Sequence, residues 1–122
     1  MVKLHIVQAE FGDCFILESK SNNESTTMLI DGGPYQTFKN HLKPTLQKLP
    51  LNGKIDLIVL SHIDNDHIIG LLDLFLEIKN ERDKGIKELV KIKKCGIIRL
   101  RIFYNYLRSQ RNYLQVFSHL KI

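Results

Sequence analysis

The chain has no tryptophan, three prolines and only two cysteines in 122 residues. Cys14 and Cys95 have no CxxC spacing and no ligand-type partners nearby. That argues against a disulfide framework and a cysteine-based zinc site, and predicts free thiols in a reducing compartment. No apolar run is long enough to span a bilayer, because the most apolar stretch, Ile68 to Ile78, is short and carries Asp73 and Glu77. The N-terminus has one lysine, Lys3, and no clean apolar core, so no secretory signal is expected. These absences predict a cytoplasmic protein with no membrane partner. The length suits one domain, large enough to bury a core without staples.

Charge of one sign is missing from two places. Residues 95–122 contain no acid, and their five bases account for the whole formal charge of +5. Three of the four tyrosines, Tyr104, Tyr106 and Tyr113, lie there too. The second gap runs from Ile55 to Ile78, where no Lys or Arg accompanies Asp56, Asp64, Asp66, Asp73 and Glu77.

What is present reads as alternating strands and helices. Lys3–Ala9 and Cys14–Ser19 have strand character, with a Gly12-Asp13 turn between them. A polar turn at 21–26 leads to a third strand, 27–33, which ends in Asp-Gly-Gly-Pro. Phe38, Leu42, Leu46 and Leu49 recur at helical spacing, with Pro44 set to start or kink that helix. The continuous apolar run 55–61 fits a strand buried on both faces. Helical spacing resumes from Ile68 to Lys79, and the charged stretch that follows is helix-compatible, with a joint at Gly85. The order strand, strand, strand, helix, strand, loop, helix predicts an α/β fold.

The loop after the fourth strand, Ser61-His-Ile-Asp-Asn-Asp-His-Ile-Ile-Gly70, is the chemically dense segment. Two carboxylates in a tight loop repel unless a cation lies between them or one takes a proton. His62 and Asp64 are two apart and project to one side of an extended chain. Asp66 and His67 are adjacent and need a turn to face the same site. One loop can then serve two ions, each with an imidazole and a carboxylate. Imidazole suits Zn, Fe, Ni or Cu, and carboxylate suits Mn or Mg, so the donor set leaves the metal open. The structural alternative is that the aspartates cap the following helix, with Asp66 as N-cap.

The segment "LSHIDNDHIIG" resembles the second motif, H-x-H-x-D-H, of metallo-β-lactamase-fold hydrolases, with Asp64 at the middle histidine. That variant is similar to the hydrolase domain of ComEC-type competence proteins. "FGDCFIL" resembles the Gly-Asp turn before the family's second strand, and "MLIDGG" the strand that ends in its first-motif aspartate, here Asp31. The resemblance spans residues 1 to about 80. It implies one half of an αββα sandwich, a mixed sheet with flanking helices. It implies His62 and Asp64 as ligands of a first metal, and Asp66 and His67 on the side of a second. Asp66 also matches the residue that orients the attacking water, and Asp31 the aspartate that supports the motif loop. Implied cofactors are divalent ions, zinc foremost with manganese or iron as alternatives, up to two in a complete domain. The implied activity is hydrolysis of a phosphodiester or another ester-like bond, with the ComEC-type variant favouring a phosphodiester in nucleic acid or a nucleotide. Gly12-Asp13 is assigned no chemistry, and Cys14 reads as a buried strand residue.

Downstream the family pattern stops. After His67 the only histidine is His119, and no acid follows a strand as a bridging ligand does in the family. The expected organisation is a partial domain over 1–94 and an atypical basic-aromatic tail over 95–122. A one-base slip in the lysine-coding run at Lys93-Lys94 would account for the change, and the expectation is that the tail is out of frame. The chain alone is expected to bind metal weakly and turn over little, unless a partner chain supplies ligands. The contrasting reading is a non-catalytic small basic protein that binds nucleic acid or a partner subunit through the tail.

Overall fold

The computed structural model describes residues 1–97. Five strands form one mixed sheet in chain order: β1 (Val2–Ile6), β2 (Phe15–Ser21), β3 (Glu24–Ile30), β4 (Lys54–Leu60) and β5 (Lys91–Ile97). β1, β2 and β3 pair antiparallel, and β3, β4 and β5 pair parallel. The β2–β3 connection is a tight hairpin in which Ser21 faces Glu24 and Asn22 takes φ 47°. Parallel pairs need crossovers, and helices supply them. α1 (Lys43–Lys48) lies between β3 and β4, and α2 (Asn65–Asp83) between β4 and β5. This is the expected α/β architecture, a mixed sheet with flanking helices consistent with half of an αββα sandwich.

Two right-handed crossovers that step in one direction across a sheet put their helices on one face. The buried cluster lies there. The row Ile16, Leu29, Ile58 is fully buried, and Leu42, Leu46, Ile68, Leu71, Leu72, Phe75 and Ile78 join the same cluster from the helical segments. Each such α2 side chain contributes roughly 2 kcal/mol of gross burial, an upper bound for a chain that is already partly collapsed when unfolded. The opposite face carries two apolar rows, Leu4-Leu17-Met28-Leu57 and Ile6-Phe15-Ile30-Val59. Leu4 and Ile6 are 58% and 76% exposed, and the other six residues are half-buried.

Three local readings differ from expectation. A π-helical turn, Phe38–Leu42, precedes α1, where one helix was expected. Pro44, near the start of α1, lacks the N–H that would continue the α pattern across the joint. The helix after the motif begins at Asn65 rather than Ile68, which puts Asp66 and His67 in its first turn. The helix-compatible stretch ends early. Gly85, at φ 67°, donates to the Arg82 carbonyl and Ile86 to that of Glu81, a Schellman stop. Residues 91–97 are then a strand, and the expected boundary at 94/95 falls within it. Residues 98–122, with most of the tail, lie outside the described residues. Among the described residues, no helix is long and apolar enough to cross a membrane.

Candidate metal centre

Topology decides where the polar residues meet. β1, β3 and β4 run in the same sense, so the segments after them emerge at one end of the sheet. They carry the Gly12-Asp13 turn, the Asp31-Gly32-Gly33 loop and the Ser61–Asp64 loop. Open α/β sheets hold ligands at such strand ends.

Glycine allows the segments to close on one another. A Cβ on Gly70 would stand 1.7 Å from the Gly32 carbonyl oxygen, and one on Gly32 2.2 Å from the Leu71 nitrogen. Gly32 N–H donates to the His67 carbonyl at 2.7 Å, and Gly70 N–H to that of Gly33 at 3.0 Å. From the other side, Gly12 leaves no space for a Cβ, which would lie 2.0 Å from the Asp66 carbonyl oxygen. Asp13 N–H donates to that same oxygen at 3.3 Å. The first turn of α2 is thus gripped from both sides.

Asp31 is the hub of the side-chain network. It is 2% exposed and held at φ 57°, with its N–H on the Val59 carbonyl at 2.9 Å. Aspartate tolerates this left-handed conformation better than most residues. Its Oδ1 accepts from Ser61 N–H at 2.7 Å, and its Oδ2 accepts from Ser61 Oγ at 2.5 Å and lies 2.9 Å from His67 Nδ1. An ionised carboxylate only accepts, so these partners assign the His67 proton to Nδ1 and leave Nε2 with its lone pair.

The outer nitrogens of both rings face carboxylates. His67 Nε2 is 3.2 Å from Asp66 Oδ2, and His62 Nε2 is 3.8 Å from Asp64 Oδ2. The two imidazoles are in contact, with centroids 3.6 Å apart and planes tilted by 44°. The motif residues thus form two His–Asp pairs joined by the ring contact, whereas the side chains whose ligand-capable atoms all converge, among the described residues, are Asp13, Asp31 and His67. Among the described ion pairs, Asp13, Asp31, Asp64 and Asp66 have only histidine partners, and no lysine or arginine. Electron-rich nitrogen and oxygen atoms at this spacing fit a divalent cation, which removes the repulsion between them.

The capping alternative is corrected by the geometry. The N-cap is Asp64, with φ −73° and ψ 150°, and its side chain makes no capping bond. Asp66 lies inside the first turn. The motif carboxylates are therefore not held by a side-chain cap.

Two residues at the site carried no sequence assignment. Asp13 Oδ2 lies 3.7 Å from His67 Nδ1, and ligand-capable atoms of Asp13, Asp31 and His67 all fall within 4.8 Å of one another. Its signal was the glycine before it, which is sterically required. Ser61 is the other, since its hydroxyl also lies 2.8 Å from His62 Nδ1. Cys14 is buried as expected, one residue before β2. Burial, and then the negative charge of Asp31, push its thiol up to about 12, so it is no nucleophile at neutral pH.

The family model for the metallo-beta-lactamase superfamily matches residues 7–104. No curated protein matches the chain.

Proposed function

The chain belongs to the metallo-beta-lactamase superfamily, and on that premise we propose that it is a metal-dependent hydrolase acting on a phosphodiester in nucleic acid or a nucleotide. The observation that carries the reading is His67 Nε2 facing Asp66 Oδ2 at 3.2 Å, with Nδ1 tied to buried Asp31. Metal-binding histidines are oriented by such a bond at their other nitrogen.

In this reading His62 and Asp64 hold one ion, and Asp66 and His67 face a second. Zinc suits the two imidazoles, and manganese or iron are the alternatives. A bound divalent ion lowers the pKa of water and polarises the bond to be cut. Asp66, on the first turn of α2, would orient an attacking water there and accept its proton. Asp31 keeps His67 in register, and the clamped turn keeps Asp66 aimed. The aspartate at position 64, which the motif shares with ComEC-type hydrolase domains, supports a phosphate ester over other substrates.

The test is calorimetric titration of the metal-free chain with zinc and manganese, alongside His62→Ala and His67→Ala. Each substitution is expected to weaken binding by at least about 10- to 100-fold, the loss that removal of an outer-shell partner alone causes. Hydrolysis of bis(p-nitrophenyl) phosphate should depend on the added metal. Unchanged metal affinity in both histidine variants would overturn the reading.

A further inference from the structure

We propose that Ser61 is a positioning residue for His62: its hydroxyl carries the influence of Asp31 to the ring and keeps the His62 proton on Nδ1. The inference rests on the metal-site reading for its purpose, but not for its geometry.

A serine hydroxyl has one proton and two lone pairs. Ser61 Oγ lies 2.5 Å from Asp31 Oδ2, and at that distance the hydroxyl donates a short hydrogen bond to the carboxylate. The same oxygen lies 2.8 Å from His62 Nδ1. With its proton directed at Asp31, Oγ can only accept from the ring, so Nδ1 must carry hydrogen. Nε2 is then left bare, on the side of Asp64. Asp31 does the same for His67 directly, at 2.9 Å. One buried carboxylate thus sets both imidazoles, one by contact and one through a hydroxyl.

The serine matters because the His62 side chain is 49% exposed, whereas that of His67 is 6% exposed. Packing holds His67. In the network described here, His62 has the relay on Nδ1 and a ring contact with His67. Without the hydroxyl, the exposed ring exchanges between tautomers, and the form with hydrogen on Nε2 cannot bind a metal there. Ser61 also bonds Asp31 through its backbone N–H at 2.7 Å, and that bond survives any change of side chain. Loss of the relay is therefore separable from loss of the loop.

The experiment uses the full chain, its Ser61→Ala and Ser61→Thr variants, and long-range proton–nitrogen NMR of the histidines in metal-free protein. Spectra are taken where the nitrogen shifts themselves report neutral rings. Wild type should show His62 with its proton on Nδ1. Ser61→Ala should show a tautomer mixture at His62 with no change at His67, and a thermal midpoint lowered by the one lost bond to the Asp31 carboxylate. Zinc affinity should fall about tenfold, and threonine should restore both signals. If alanine leaves His62 on Nδ1, or disturbs His67 equally, the relay is wrong. If His62→Ala and His67→Ala leave zinc binding intact while the tautomer still shifts in Ser61→Ala, the relay stands and the metal reading fails.

Discussion

Asp31 and Asp13 both flank His67 Nδ1, yet their roles differ because their surroundings do. Both Asp31 oxygens are engaged, and its side chain is 3% exposed. Asp31→Asn removes a buried charge that three donors surround and turns one acceptor atom into a donor. The expected cost is about 3 kcal/mol, since bonds to charged groups are worth roughly 1.5–3 kcal/mol each. In a domain of this size that is a drop of well over ten degrees in thermal midpoint. The Asp13 side chain is 52% exposed, with its nearest ion-pair contact at 3.7 Å. Asp13→Asn should leave the midpoint within about 1 °C and lower zinc affinity a few-fold, by loss of nearby negative charge. Differential scanning fluorimetry with zinc titration separates the two outcomes. An equal loss of stability in Asp13→Asn would make Asp13 a turn former and nothing more. The sequence singled out Asp31 because the segment ending Asp31-Gly-Gly resembles the family's first motif, whereas the pattern alone reads equally as a turn aspartate. It missed Asp13 and Ser61 because what each does depends on atoms about 50 and 30 residues away along the chain.

At the scale of elements, close packing overrides helix propensity. Gly70 lies inside α2, where alanine is ordinarily preferred by about 1 kcal/mol. Here the added methyl would lie 1.7 Å from the Gly32 carbonyl oxygen, a backbone atom that cannot swing aside. Gly70→Ala should therefore destabilise, by about 3 kcal/mol as helix and loop separate. It should also weaken metal binding, because the same contact aims Asp66 and His67. A midpoint at or above wild type would show that the loop yields easily. The glycine was visible in sequence, but its partner across the fold was not. β5 was hidden for another reason. Lys91, Ile92, Lys93 and Lys94 follow a charged helix and give no period strong enough to separate strand from helix. Among the described strands β5 lies at the sheet edge, where lysine is well tolerated because its charged end reaches water. The strands β1 to β4 were legible because their apolar runs are bounded by turn residues.

Across the described residues, the two ends of the sheet handle their carboxylates differently. At the strand ends that carry the motif, four aspartates and two histidines gather with no basic residue among their described ion-pair partners. At the opposite end Asp56 ties three strands together. Its Oδ2 accepts from Thr27 N–H of β3 at 2.9 Å, and its Oδ1 lies 3.2 Å from Lys54 Nζ of β4 and 3.1 Å from Lys93 Nζ of β5. Desolvation pushes the Asp56 carboxyl up, but the Thr27 N–H and the two lysines outweigh it and bring it down to about 2. A carboxyl depressed in the folded state stabilises above its unfolded pKa, near 4. That contribution is lost as pH falls from about 4 through about 2. The Lys93 side chain is 57% exposed, so screening trims the effect to about 1 kcal/mol. Wild type should therefore lose thermal stability more steeply than Asp56→Asn across that window, while the variant is the less stable of the two at pH 7. Raised salt should narrow the difference, since the lysine share is screened and the Thr27 share is not. Parallel slopes in acid would mean that the three strand ends hold together without this charge.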